Sequence, residues 1–381
     1  MNILFVSLMQ GSPWGGSEEL WVKVASEFLA NNHKVFFCVK KWVDINDKLR
    51  KLEERGGIGL YREPPGSKKK SLVERVARKL LRKRRKNGTE WDIIENIEVD
   101  YVFVNFGGNY DILCHEGLVT FIKKKDLKYS VLLQFNTENS PLPDLERFMV
   151  KSFFLNADIL FFVSKRNLEV YSRNLVEKFN NAIIVNNPVN SEYLHLLPFP
   201  EISLGLNMAC VARLETSIKG QDLLIEALSA DVWKKRNWSL NFYGTGVDYN
   251  YINDLISFYQ LNDKIKLLGY EKNIEKIWID NHILVLVSNS EGTPLSLIEA
   301  MYCGRGALVT DVGGNSTLIS ENYTGFLVSS QNITLIREKL EIMWEQKKML
   351  EKYGLNANEK VRLVNKLNDH MVIYNSIYKS R

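Results

Sequence analysis

In "SNSEGTPLSLIEAM", Ser288 to Met301, two glutamates stand eight residues apart, Glu291 in a Gly-Thr-Pro loop and Glu299 inside an apolar helix. Carboxylates do not bind phosphate; they accept hydrogen bonds from hydroxyls. The same stretch offers Thr293 as an N-cap and Pro294 at the first helical position, which leaves free backbone N–H groups from Thr293 to Ser296 as an anion seat. A ligand rich in both phosphate and hydroxyl groups accounts for that combination. The plainer alternative makes Glu299 a first-turn acid favoured by the helix dipole and Glu291 a loop charge.

Cations and glycines elsewhere fit the same ligand. "VARLETSIKGQDLLIEAL" ends a strand near Arg213 and sets Lys219 just before a helix, a planar fork and a point charge suited to a diphosphate. Taken singly, either is a surface cation. "FYGTGVD" puts Gly244 and Gly246 at another strand end, and "SPWGGSEELW" puts Gly15 and Gly16 where the first helix opens, where the backbone can approach an anion. A tight turn would need glycine equally. No G-x-G-x-x-G occurs, and strand two ends in Lys40 and Lys41 rather than an acid, so the dinucleotide fingerprint is absent.

These residues need elements to hold them. The runs "NILFVSL", "KVFFCVK", "YVFVNF", "YSVLLQF", "ILFFVS" and "AIIVNN" read as strands, several apolar on both faces as buried parallel strands must be. Helical patterns lie between them over 17–30, 110–124, 145–156 and 165–178, which is βα winding. The period breaks near residue 187, in a proline-rich stretch that marks a linker. Winding resumes with "LNMACVA", "WSLNFYG", "KIKLLGY", "ILVLVS" and "GALVTDV", and helical sequence fills 335–381. The expected organisation is an α/β chain of two doubly wound, Rossmann-like domains, 1–195 and 196–365. A final helix, 366–381, could cross back to the first domain. Ligands then belong in the cleft, at the carboxyl ends of the strands.

Bulk composition agrees with that division. A chain of 381 residues exceeds one ordinary core. The longest apolar runs fall far short of the ~20 residues that span a bilayer. The start reads as a strand rather than an export signal, and four widely spaced cysteines indicate neither a zinc site nor a disulfide framework, so a cytoplasmic setting is expected. Net charge is +5, yet Lys68 to Lys86 holds eleven Lys/Arg against Glu74 alone. As a helix this segment has an apolar stripe through Leu72, Val76 and Leu80 opposite a basic face. Its readings are a solvated surface helix, a contact with an anionic membrane surface, or nucleic acid; the last has no aromatic interleaving or binding motif behind it, and no nucleic-acid partner is expected.

The Gly15-Gly16 pair, Arg213 and Lys219 in "VARLETSIKG", "YGTG", and Glu291-x7-Glu299 followed by "DVGGNSTLI" together resemble glycosyltransferase family 4. Similarity is dense from about Asn207 to Val328 and thinner in the N-terminal half. The resemblance implies the GT-B fold and a retaining transferase that uses a nucleotide-sugar. It implies Glu291 on the hydroxyls of the transferred sugar, Glu299 on the ribose, and Arg213 and Lys219 on the diphosphate. The loop Gly292, Thr293, Pro294, Leu295 and Ser296 would hold sugar and phosphate, with Gly15, Gly16 and Gly244 close to the donor and Tyr270 to Ile274 lining the base pocket. Where many relatives carry a histidine after the fourth or fifth strand this chain has "LLQFNTENS", so Gln134, Asn136 or Glu138 stands in, with Asn136 the candidate for the catalytic set.

The function expected is transfer of a hexosyl group from a UDP- or GDP-sugar to a lipid-linked glycan in bacterial surface polysaccharide synthesis. No D-x-D spacing occurs, so the cations and helix N-termini are expected to stabilise the leaving diphosphate without a metal or other cofactor. The basic segment is expected to hold the protein at the inner leaflet. The alternatives are a nucleotide-sugar epimerase or hydrolase of the same architecture, and a non-catalytic glycan-binding adaptor.

Overall fold

The computed structural model describes residues 1–63, 89–189, 194–365 and 368–379; the basic segment Lys68 to Lys86 lies outside them. The first sheet contains β1 Asn2–Ser7, β2 Lys34–Lys40, β3 Ile58–Arg62, β4 Tyr101–Phe106, β5 Lys128–Leu133, β6 Ile159–Phe162 and β7 Ala182–Ile184. Its spatial order is β3-β2-β1-β4-β5-β6-β7. The second contains β8 Leu206–Val211, β9 Trp238–Tyr243, β10 Ile265–Gly269, β11 Ile283–Leu286, β12 Gly306–Thr310 and β13 Gly325–Val328, ordered β10-β9-β8-β11-β12-β13.

Every strand pairing between these elements is parallel, as repeated βα winding requires. Central strands are buried on both faces, which is why they read as unbroken apolar runs; all six residues of β4 are buried. Phe5 stands in register with Phe37 on one side and Phe103 on the other, and the rings of Phe5 and Phe103 lie 5.3 Å apart. Each sheet reverses its winding once, between β1 and β4 and between β8 and β11, so loops from those strand ends border a crevice.

The chain crosses between the domains twice. At the first crossing Arg305 is fully buried beside the incoming linker. Its guanidinium donates to the carbonyls of Asn281 (2.8 Å), Cys303 (2.9 Å) and Pro198 (2.7 Å), and to that of Trp278 (2.6 Å). Desolvation lowers its pKa to about 10, which still leaves it charged at neutral pH. Arg305→Ala would strand these carbonyls, and a loss of at least about 3 kcal/mol is expected, read as a lower urea midpoint. Lysine cannot reproduce the planar fork, so Arg305→Lys should not rescue it.

At the second crossing the helix Asp369–Lys379 packs on the helix Gly16–Ala30, with the Tyr374 and Phe28 rings 4.7 Å apart. Asp369 accepts from the Asn186 backbone N–H at 2.6 Å and from its side chain at 2.7 Å. The last helix is therefore built into the first domain.

Candidate active site

Because β8 pairs with β11, the loops that follow them are neighbours, and this brings Arg213, Lys219 and Glu291 to one edge. Arg213 lies two residues beyond β8. Its carbonyl is fixed by the Gln221 side chain at 2.7 Å, and its guanidinium sits 3.3 Å from Glu215. It also reaches the first domain: a Cβ on Gly11 would fall 3.3 Å from Arg213 Nη1. Lys219 closes the one-turn helix Thr216–Lys219, and its Nζ lies 2.6 Å from Glu291 Oε1. Both side chains are largely buried, at 14% and 7% exposure. The Ser288 hydroxyl donates to the same oxygen at 2.7 Å, and Ser288's own carbonyl is held by Thr310 Oγ1 at 2.6 Å. The acid expected at the sugar and a cation expected at the diphosphate are thus each other's partners here.

The Glu291 loop rests on the "DVGGN" turn. Gly313 has φ +54°, and a Cβ there would overlap the carbonyl oxygens of Glu291 and Gly292. Gly314 donates its backbone N–H to Gly292 at 2.5 Å. The loop also closes against the first domain. Thr293 Oγ1 donates to the Val163 carbonyl at 2.9 Å, and Gly292 packs on the Gln134 carbonyl so closely that a Cβ would overlap it. Gly292→Ala is therefore expected to push the two domains apart. It should lower donor turnover at least tenfold while leaving each domain folded, because the added methyl meets backbone rather than a side chain that can turn away. Small-angle scattering and a turnover assay check both halves.

Two sequence expectations need correction here. Thr293 does not cap the helix, because its hydroxyl is committed to Val163; Pro294 occupies the cap position (φ −62°, ψ 124°) and the helix runs Leu295–Tyr302. Its N-terminus carries no side-chain cap. It faces that of Gly16–Ala30, since a Cβ on Gly16 would lie 2.9 Å from Leu295 Cδ1. Gly15, in extended backbone at φ −157°, holds the cap position there. Partial positive charge from both domains converges on this gap. Second, 110–124 is not one helix. A short 3-10 turn, Asp111–Cys114, breaks at His115 before Glu116–Lys124, and His115 is buried between Glu90 (3.2 Å) and Gln10 (3.1 Å).

The carboxyl of Glu299, one and a half turns along its helix, makes no hydrogen bond to any described residue. Burial, reinforced by the charge of Glu19 across the gap, raises its pKa to about 7. Glu19 accepts from Trp14 Nε1 at 2.8 Å and is paired with Lys48. Of the three stand-ins for a histidine, Glu138 is occupied by Arg166 in two bonds of 2.9 Å. Asn136 is buried, donating to the Asn167 carbonyl at 3.3 Å, and its Oδ1 meets no partner among the described residues. Gln134 donates to the Ser17 carbonyl at 3.1 Å and likewise keeps Oε1 unmatched. Gly244 has φ +147° and donates to Gly269 at 2.7 Å, so it closes a turn beside Arg213. Ser296 lies in the first turn of its helix and Ile274 opens the helix Ile274–Trp278. Tyr270 is 77% exposed and is not drawn into the cluster.

Sequence reasoning passes over Glu18. It is buried in the first turn after Gly15-Gly16 and accepts from Ser7 Oγ (2.9 Å), Asn105 Nδ2 (3.1 Å) and Trp21 Nε1 (2.9 Å). It joins the ends of β1 and β4 beneath the cleft, and desolvation raises its pKa to about 7. The one available signal was an acid next to the glycine pair, which the helix dipole already explains. Ser288 and Gln221 carry no sequence signal at all.

Among the described residues no helix is long and apolar enough to cross a membrane, and no three His, Cys, Asp or Glu side chains group as metal ligands.

Residues 206–360 match the family model described as glycosyl transferases group 1. An uncharacterized glycosyltransferase of Methanocaldococcus jannaschii is 26% identical over 215 residues, 56% of this chain and 57% of that protein. The N-acetylgalactosamine-N,N'-diacetylbacillosaminyl-diphospho-undecaprenol 4-alpha-N-acetylgalactosaminyltransferase of Campylobacter jejuni is 26% identical over 240 residues, 62% of this chain and 64% of that protein. The chain thus matches under two thirds of either relative's length. The crystal structure of Anabaena Alr3699/HepE in complex with UDP and glucose superposes with a TM-score of 0.74 at 15% identity, covering both chains completely. Residues 206–360 are thus similar to the group 1 glycosyl transferases, and the two parallel sheets form the GT-B fold.

Proposed function

We propose that the protein is a retaining glycosyltransferase that moves a hexosyl group from a UDP- or GDP-sugar to a lipid-linked glycan at the inner face of a bacterial cytoplasmic membrane, in surface polysaccharide synthesis. The observation that supports this reading most is the Lys219–Glu291 pair next to Arg213, beside the meeting of the Gly16–Ala30 and Leu295–Tyr302 helix starts, with Glu299 further along the latter helix. Cations, two helix N-termini and two acids converge there, which is what a sugar joined to a diphosphate asks of a site. The bond from the anomeric carbon to the diphosphate oxygen breaks, with its electrons leaving on the diphosphate. An acceptor hydroxyl forms the new bond on the same face, and its proton goes to the departing phosphate. Arg213 and Lys219 would stabilise the growing charge, and Glu291 and Asn136 would hold sugar hydroxyls. In this reading no divalent ion is required.

Lys219 must exchange Glu291 for phosphate when donor binds, freeing Glu291 for hydroxyls. The lipid-linked acceptor is supported by the diphospho-undecaprenol acceptor in the name of the Campylobacter relative, and UDP as donor by the Anabaena complex. Attachment to an anionic membrane through Lys68 to Lys86 belongs to the same proposal.

The test is a screen of UDP-, GDP- and ADP-sugars for thermal stabilisation, followed by product analysis with labelled donor. Label should appear in an acceptor glycan with the anomeric configuration retained, and EDTA should leave the rate unchanged. Label released only as free sugar, or an epimerised donor, would replace the transferase with the hydrolase or epimerase reading. No nucleotide raising the melting temperature would leave an adaptor.

A further inference from the structure

A buried charged cluster in the first domain takes no part in the donor site described above. Arg62, the last residue of β3, is almost fully buried, with its guanidinium 4.4 Å from the centre of the Trp91 ring. It donates to the Ser7 carbonyl and, at 3.4 Å, to Glu90 Oε2. The other oxygen of Glu90 lies 3.2 Å from His115 Nδ1. His115 is buried edge-on to Trp91, and its Nε2 lies 3.1 Å from Gln10 Nε2. Gln10 is the exposed end of this chain, and its backbone carbonyl accepts from Lys40 Nζ at 3.0 Å. One exposed amide is thus held through both its side chain and its backbone.

The order of hydrogen bonds fixes which way that amide points. The hydrogen bond from His115, with the Arg62 charge behind it, holds the Glu90 carboxyl below the usual carboxylate range, so it is ionised and can only accept. The Nδ1 proton of His115 therefore faces Glu90, and the Nε2 lone pair accepts from the Gln10 amide. With one N–H committed to His115, Gln10 directs Oε1 and its second N–H away from the cluster. A side chain oriented before a ligand arrives loses less freedom on binding it. Because Arg62 matches the charge of Glu90, the group presented outward is a neutral amide, suited to a hydroxyl.

Position says whose hydroxyl. Gly11 follows directly, and a Cβ there would lie 3.3 Å from Arg213 Nη1, so Gln10 stands beside the cation proposed to hold the leaving diphosphate. In the retaining transfer proposed above, the acceptor hydroxyl arrives on the face from which the diphosphate leaves. The acceptor's sugar ring must then pass the first-domain groups nearest Arg213. We infer that Gln10 is an acceptor-binding residue whose Oε1 takes a hydrogen bond from a sugar hydroxyl neighbouring the one that reacts, and that Glu90 and His115 are positioning residues that hold the amide in that orientation. The inference rests on the transferase reading and adds to it the means by which the acceptor sugar is read.

The experiment uses the full chain, the nucleotide-sugar that best raises its melting temperature, and octyl glycosides of glucose, galactose and N-acetylglucosamine as soluble acceptors, each also made with single hydroxyls removed. Gln10→Ala should raise the acceptor KM about tenfold while kcat and the thermal shift given by the donor hold. Removing the hydroxyl that Gln10 reads should cost the native chain about tenfold in kcat/KM and Gln10→Ala almost nothing, because the two changes delete one bond. Glu90→Gln keeps the shape but no longer demands a proton on Nδ1, so it should raise the acceptor KM severalfold and add nothing in the Gln10→Ala background. Nitrogen NMR of labelled histidine gives a readout free of turnover: Nδ1 should be the protonated nitrogen of His115. Three results overturn this inference alone: transfer that Gln10→Ala leaves unaltered, an equal loss of donor binding, or a His115 protonated on Nε2. Label that the native chain releases only as free sugar overturns the transferase reading, and this inference with it.

Discussion

Glu291→Ala is expected to cut kcat/KM for sugar transfer by about a thousandfold and to lower the melting temperature as well. The two losses have different origins. The carboxylate is proposed to accept hydroxyl hydrogen bonds, and bonds to a charged acceptor are worth ~1.5–3 kcal/mol each. Misplacing the sugar adds to that. Stability falls because Lys219, with its side chain 14% exposed, loses the partner 2.6 Å away and remains a buried cation. Breaking such a pair costs ~3–5 kcal/mol. At ~2–4 °C per kcal/mol for a domain of this size, the fall should be about 6–20 °C. A double variant separates the two effects. In Glu291→Gln/Lys219→Met both charges are gone, so most of the lost stability should return while turnover stays low. If turnover returned together with stability, Glu291 would be a structural ion-pair partner and nothing more.

What could be read from residues alone follows from which signals are local. The βα winding was legible because central parallel strands are apolar on both faces, and Tyr101–Phe106 and Ile283–Leu286 are buried throughout. The strand Ile58–Arg62 was not legible. It is an edge strand with Arg62 as its one buried residue and a glycine at its second position, so it shows neither an apolar run nor clean alternation. Gly325–Val328, at the other sheet's edge, has four residues and no room for a period. Glu291, Glu299, Arg213 and Lys219 stood out because charge at strand ends is unusual and their spacing is fixed along the chain. Their pairing was hidden, since Lys219 and Glu291 are 72 residues apart and meet only because β8 lies beside β11. Thr293 shows the reverse error. A threonine before a proline fits a helix cap locally, and a partner 130 residues away claimed the hydroxyl instead.

Glu299→Gln should make the unliganded protein more stable at pH 8 while weakening its hold on nucleotide. Burial, with Glu19 next, raises this carboxyl from 4.5 to about 7. The folded state therefore binds a proton more tightly than the unfolded chain does, and the sign follows directly. The group's contribution to stability is fully present below pH 4.5, and it is lost as pH rises through 7. At pH 8 the native chain carries a largely buried carboxylate that no hydrogen bond offsets, at a cost of about 3 kcal/mol. The amide never ionises, so Glu299→Gln should flatten part of the decline in melting temperature between pH 5 and pH 8, with the remainder belonging to Glu18, whose shift has the same direction. Such a carboxylate is retained at a loss if two vicinal hydroxyls of a ribose supply the missing donors. The thermal shift produced by the best nucleotide should then shrink in Glu299→Gln, with its apparent Kd weakened by about tenfold. A variant that gained stability at pH 8 and kept full nucleotide affinity would leave the ribose to some other residue.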